Sequence, residues 1–315
     1  MSAELFAPPE TYERAAARLE KALRSCVLCP RRCRVNRLEG ELGFCRARAA
    51  TAAVNTSQLH YGEEPPISGT KGSGTVFFAG CTLACLFCQN WRISQAGGGE
   101  ETSPEDLAGV FLGLEMAGAH NINLVTPTPH LVVILKALAI ARGYGLALPV
   151  VYNTSGYESA AVLRQMDGLI DIYLPDFKYI DDSVAERLSQ APNYVASARS
   201  GLAEMHRQVG NLKLEDDGTA FRGVMVRHLV LPSGLSGTPQ VLAEIAEICG
   251  PGAWISLMSQ YFPTYKAMET SGLERRINRE EYQEATEALE RLGLYRGFVQ
   301  GMASATDELV PRWRE

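Results

Sequence analysis

The stretch GTVFFAGCTLACLFCQN, residues 74–90, decides how the rest of the chain is read. It opens as a short apolar run of strand type. It ends by placing Cys81, Cys85 and Cys88 inside eight residues, with Phe87 directly before the last. A buried strand therefore delivers the first thiol at its C-terminal end. A four-iron cluster takes four thiolates, and only three are local, so the fourth iron keeps a position at which a small molecule can chelate. That open position separates reactive metal sites from closed structural ones. Zinc is the plainer alternative. It wants four ligands, and no Cys or His follows Cys88 within the next thirty residues, which leaves His130 as a distant candidate.

Downstream of the triplet, strand and helix patterns alternate. Ser103 and Pro104 open a helix in TSPEDLAGVFLGLEMAG, as N-cap and first helical residue. NINLVT (121–126) reads as a strand, PHLVVILKALAIARGYG as a helix, LPVVYNTSG as a strand and ESAAVLRQM as a helix. LIDIYLPDFKYI is a strand running into a loop, residues 182–210 are helical with a break near Pro192, and GVMVRHLVLPSG is a strand. TPQVLAEIAEICG and AWISLMSQY add a sixth helix and strand. This order predicts an α/β fold of parallel βαβ units, a partial (β/α)6 TIM-like barrel. Chemistry in such folds collects at the C-terminal strand ends. The triplet, TPTPH (126–130), NTSGY (153–157), PDFK (175–178), RHLVLPSG (227–234) and SQYFPTYK (259–266) are all expected to face one cavity.

Residues 1–70 lack the alternation. The Gly- and Ser-rich ISGTKGSG places a boundary between residues 68 and 73. Before it stand an amphipathic helix and a Cys-rich metal-binding extension (1–70). After it comes the barrel with a C-terminal helix and strand (71–315). The extension carries Cys26, Cys29, Cys33 and Cys45 at spacing C-x2-C-x3-C-x11-C. Four thiolates can close a site completely, as a structural zinc or a second iron–sulfur cluster. The interleaved Arg31, Arg32, Arg34 and Arg37 read as a solvated face or an attraction for an acidic or phosphorylated surface. Cys249 stands alone near a helix end, as a small buried hydrophobe.

Composition narrows the classes. The chain has 315 residues, 46% of them hydrophobic, enough for a large core. No run of 18 apolar residues and no secretory signal pattern is present, so the default is cytoplasmic with no membrane role. A net charge of -6 does not indicate nucleic acid. Grouped cysteines in such a chain point to metal, not to a disulfide framework.

The spacing C-x3-C-x-aromatic-C of Cys81, Cys85, Phe87 and Cys88 resembles the signature of the radical S-adenosylmethionine superfamily, over roughly residues 70–300. Within it, CQNW, NTSGY, DFK, VRHLVLPSG and SQYFPTYK look most like relatives of the pyruvate formate-lyase activating enzyme. The resemblance implies a [4Fe–4S] cluster on Cys81, Cys85 and Cys88, whose open iron chelates the amino and carboxylate groups of S-adenosylmethionine. One electron, from a low-potential donor such as flavodoxin or ferredoxin, then splits the sulfonium to methionine and a 5′-deoxyadenosyl radical that abstracts hydrogen from substrate. Phe87, Asn90, Thr126, Thr128, Asn153, Ser155, Asp176, Lys178 and Arg227 are the cofactor-binding residues it implies. NTSG is also ordinary turn chemistry, and an Asp and Lys at a strand end are often a solvated pair. One departure stands out. The activating enzymes carry Gly-Gly-Glu after the second strand, where this chain has VTPTPH, so Thr126, Thr128 and His130 become candidate substitutes and the chain reads as a side branch. His130 is equally a helix-start residue. The resemblance favours a protein or peptide substrate, with a glycyl-radical activase as the narrower form. The alternatives are a radical enzyme on a small molecule or RNA, and a non-catalytic iron–sulfur electron carrier.

Overall fold

The computed structural model describes residues 6–304 and residue 313. Chain order begins with α1 (Pro9–Glu20), the cysteine loop, β1 (Ala52–His60), α2 (Pro65–Ser68) and β2 (Ser73–Phe78). Next come α3 (Trp91–Ser94), β3 (Glu100–Thr102), α4 (Pro104–Met116), β4 (Ile122–Val125), α5 (Leu131–Gly143) and β5 (Val150–Thr154). Then follow α6 (Ala160–Leu163), β6 (Ile172–Pro175), α7 (Asp182–Ser189), α8 (Tyr194–Val209), β7 (Lys213–Leu214) and β8 (Ala220–Leu229). α9 (Thr238–Cys249), β9 (Trp254–Met258), α10 (Arg279–Arg291) and β10 (Arg296–Val299) complete the order. No helix among the described residues is long and apolar enough to cross a membrane.

The sheet runs β10-β9-β8-β6-β5-β4-β2-β1-β3, with β7 paired to β8. From β2 to β10 every step is parallel, and β1, β3 and β7 pair antiparallel. The α/β partial barrel therefore stands as expected. The βα signals explain it: Ser103 Oγ accepts from Asp106 N with Pro104 at the first helical position, as the sequence predicts. Pro192 separates α7 from α8. The ESAAVLRQM helix is shorter than expected, one α-turn running into a 3₁₀ turn at Arg164–Met166.

Alternation along the strands sorts the core. Val150 and Tyr152, Val224 and Val226, Ile255 and Leu257 pack in the larger cluster with the helices. Val151, Ile172, Leu174 and Met225 form a second cluster with Ile67 of α2 and Leu212. This smaller cluster lies beneath the polar cavity described next. The first seventy residues share the same framework: β1 extends the sheet beside β2, and α1 packs on α5, tied by Lys136 to Glu20 at 2.7 Å. Tyr12 Oη also donates to Leu169 O.

Candidate active site

A cavity of about 370 Å³ opens at the C-terminal ends of the parallel strands. Cys81, Cys85, Phe87, Cys88, Asn90, Thr126, Asn153, Ser155, Asp176, Lys178 and Arg227 all line it. Each sulfur of the triplet has a donor. Leu83 N donates to Cys81 Sγ at 3.4 Å, Ser189 Oγ donates to Cys85 Sγ at 3.0 Å, and Ser94 Oγ lies 3.3 Å from Cys88 Sγ. Burial raises the pKa of all three thiols, that of Cys88 to about 11, while Lys178 pulls each of them down. Bound metal deprotonates a coordinating thiol outright, and donors aimed at the sulfurs tune such a centre. The residues present thus fit a cluster held on three thiolates with one side facing the cavity.

The opposite walls are tied to each other. Lys178 Nζ pairs with Asp176. Burial would lower the Lys178 pKa, but Asp176 and Cys85 outweigh it and keep the ammonium charged. Tyr194 Oη receives Lys178 N at 2.8 Å and reaches Ser155 O at 3.1 Å, so one phenol positions both segments. Gly156 has φ +76°, and a Cβ there would collide with the Asp176 carbonyl, so only glycine lets NTSG approach PDFK this closely. Thr126 holds φ +62°, a costly conformation for a β-branched residue. Its N donates to Asn153 O at 2.9 Å, which fixes this strained wall against the next strand.

Thr128 and His130 do not line the cavity with Thr126. Thr128 turns in the 3₁₀ turn Thr128–His130, and its hydroxyl donates to Glu158, as does that of Thr154. Burial raises the Glu158 pKa to about 7 despite these two donors. His130 stacks on Phe78 at 5.4 Å and its Nε2 lies 2.8 Å from Ala79 O. Burial lowers its pKa to about 4, so the ring is neutral.

Two cavity residues have no counterpart among the sequence candidates. Glu63 and Glu64, in the loop after β1, clasp Arg227 from both sides, with Arg227 Nε donating to Glu64 at 2.8 Å. Asn123 Nδ2 donates to Glu63 at 2.9 Å. All three charged side chains are nearly buried, at 8%, 8% and 13% exposure. Burial works to raise the Glu64 pKa, and Arg227 overcomes it and holds the carboxyl below its usual range. The doubled acid in GEEPP was the available signal, hidden by its place before the barrel's first parallel strand.

The first cysteine group forms a separate place. Cys26, Cys29, Cys33 and Cys45 ring a small hollow with Leu28, Phe44, Pro129 and Thr128. Arg31 and Arg37 are not solvated, as the sequence reading had them. Arg37 is 4% exposed and donates to Arg48 O and Pro129 O, with Nη1 4.0 Å from Cys26 Sγ.

An open thiol triplet beside a cavity that can take a polar ligand defines an iron–sulfur enzyme. The sequence model of the radical SAM superfamily matches residues 75–211. An uncharacterized protein of Methanocaldococcus jannaschii is 33% identical over 280 residues, covering 86% of this chain and 76% of that protein. The chain belongs to the radical SAM superfamily, whose cofactors are a [4Fe–4S] cluster and S-adenosylmethionine. Among solved structures, TYW1 with a lysine-pyruvate adduct bound overlaps with a TM-score of 0.46 at 15% identity, covering 73% of this chain and 78% of that one. HydG, a maturase of the [FeFe]-hydrogenase, overlaps with a TM-score of 0.44 at 13% identity, covering 69% of this chain and 48% of that one.

Proposed function

We propose that the protein uses the cavity for reductive cleavage of S-adenosylmethionine and takes a hydrogen atom from a protein or peptide substrate, with a glycyl-radical activase as the narrower form of this reading. The observation that carries it is the meeting of Cys81, Cys85 and Cys88 with Asn153, Ser155, Asp176 and Lys178 around one cavity. When bound, the cofactors supply a carbon radical, and the protein supplies ligation, orientation and a dry enclosure. Cys81, Cys85 and Cys88 are its cluster ligands. Asn90, Asn153 and Ser155 offer hydrogen bonds to the nucleoside or amino-acid part, and Thr126 takes the place along β4 where the activating enzymes carry Gly-Gly-Glu. Lys178, kept charged by Asp176, holds a cation beside the thiolates. Phe87, packed edge-on against Tyr261 at 6.0 Å, closes the apolar side against water.

The size of the cavity favours a protein substrate. About 370 Å³ is near the lower end of ligand sites. With the cofactor inside, the remaining space suits a side chain or loop tip that enters from the mouth. The test is isotopic. Protein reconstituted with iron and sulfide is reduced, given S-adenosylmethionine, and mixed with a fully deuterated cell extract split by size. Deuterium in 5′-deoxyadenosine from the macromolecular fraction alone is expected. Deuterium from the small-molecule filtrate alone would overturn the protein-substrate reading.

A further inference from the structure

The first cysteine group lies directly against the loop that carries the triplet. Gly80, at φ +81°, has no room for a Cβ because the Cys45 carbonyl fills the space. Arg31, inside the first group, donates from Nε to Thr82 O, between Cys81 and Leu83, and from Nη2 to Gln190 O. Burial lowers the Arg31 pKa, and Tyr157 with the thiols of Cys29, Cys33 and Cys81 opposes this. One guanidinium therefore feels both sets of sulfurs.

The outer side of the same loop is unlike the rest of the surface. Val27, Leu38, Leu42 and Phe44 are 36%, 43%, 48% and 38% exposed within nineteen residues. Over residues 24–48 the sequence has seven arginines against two glutamates, whereas the whole chain carries a net charge of -6. Arg24, Arg32, Arg34 and Arg46 of this set are exposed. A cationic, partly apolar patch on an acidic protein selects an acidic partner and speeds its encounter.

We propose that Cys26, Cys29, Cys33 and Cys45 hold a second iron–sulfur cluster, and that the arginine-rich rim around it is the docking face of an acidic, low-potential one-electron carrier protein. The inference rests on the radical reading of the triplet and names how its electron arrives. The hollow decides between cluster and zinc. A tetrahedral zinc draws four sulfurs to within about 2.3 Å of one point. A four-iron cluster spreads them over four irons, and here the thiols stand around the rim of an apolar hollow. Among the described residues no three Cys, His, Asp or Glu side chains meet as a single ion would require. The carrier loses one electron, which enters the cluster of the first group and moves on to that of the triplet. No atom or proton changes place. Arg31 acts as a positioning residue that holds the two loops together.

The experiment uses the full chain, reconstituted anaerobically, with reduced flavodoxin as the probe. Iron analysis is expected to find about eight irons per chain, two four-iron clusters, with two spectroscopic components. Arg32→Glu with Arg34→Glu is expected to keep the iron and the dithionite-driven cleavage of S-adenosylmethionine. It should slow flavodoxin oxidation roughly tenfold or more at low salt, an effect that shrinks as salt screens the patch. About four irons with one zinc per chain would overturn the second cluster. An unchanged flavodoxin rate in the charge-reversed protein would overturn the docking face. Flavodoxin oxidation is followed without S-adenosylmethionine, so it judges electron entry independently. If dithionite drives no cleavage in the parent protein, it is the radical reading that fails, and the iron count and oxidation rate still stand as tests of this inference.

Discussion

Cys81, Cys85 and Cys88 come from a strand end and the loop behind it, and their sulfurs face a polar cavity about 370 Å³ in volume. Cys26, Cys29, Cys33 and Cys45 come from a loop whose regular structure is a single 3₁₀ turn at Arg37–Glu39, and they close on an apolar hollow. The first set gets its rigidity from the sheet. The second has little core of its own and relies on its neighbours: Arg37 is anchored on Pro129 O, and Arg31 on Thr82 O and Gln190 O. What differs is the number of free positions and the polarity of the space they face. Three thiols beside donors and charges make room for a reacting ligand, whereas four thiols beside Leu28 and Pro129 leave none.

The sharpest way to break this contrast is Cys85→Ala. It leaves two thiols on the open side, and Ser189 loses the sulfur to which it donates. Reductive cleavage of S-adenosylmethionine should fall below detection, and iron should drop by about four per chain. Retained cleavage would remove Cys85 from the cluster. By the same logic Cys29→Ala should lower folded yield more than it lowers cleavage per remaining cluster, read by dithionite-driven assay.

The second prediction concerns the cavity floor. Arg227→Leu leaves Glu63 and Glu64 facing each other without their cation, at 8% exposure each. Breaking a buried ion pair on one side costs about 3–5 kcal/mol, so denaturant midpoints should fall accordingly. The triple replacement of Glu63, Glu64 and Arg227 by Gln, Gln and Met should recover most of that loss while still disturbing cofactor binding. A fully stable Arg227→Leu would mean that the acids are already neutral in the parent.

The floor also shows where sequence reading stops. The parallel strands were legible because helix caps such as Ser103 and Pro104 punctuate them, and the triplet was legible from spacing alone. β1 was not. AAVNTSQLH has mixed polarity because its role is to edge the sheet beside β2, so it has no buried run to detect. The loop after it carries Glu63 and Glu64 into the barrel through tertiary packing alone. Thr128 illustrates the opposite error: two residues from Thr126 in the same TPTPH segment, it is rotated by a 3₁₀ turn onto Glu158 and away from the cavity. Turn geometry of that kind has no sequence period.

Glu158 stands between the two cysteine regions, receiving Thr154 from the cavity wall and Thr128 from the rim of the hollow. Its folded pKa of about 7 lies above the ordinary carboxyl value of 4.5, so burial keeps the acid protonated. The stability it contributes is complete below pH 4.5. Between there and about pH 7 the unfolded chain releases a proton that the folded chain keeps, and stability falls by about 1.4 kcal/mol per pH unit. Glu158→Gln should flatten that part of the profile, in total roughly 3 kcal/mol, measured by chemical denaturation from pH 4 to pH 8. An unchanged slope would assign the pH dependence to another group.

The smallest effect, and the most direct on the contrast itself, belongs to Gly80→Ala. The residue sits at φ +81° with the Cys45 carbonyl where a Cβ would be. An L side chain must pay for the left-handed backbone and then push the two cysteine loops apart, together about 1–3 kcal/mol. If the loops were merely neighbours, only the melting temperature would move. If the first group supports the triplet, iron per chain and the spectrum of the triplet cluster should change as well, because Gly80 N also donates to Ile93 O at 2.9 Å and frames the loop that presents Cys81. A lowered melting temperature with an unaltered cluster spectrum would show that the two regions share a wall without sharing a function.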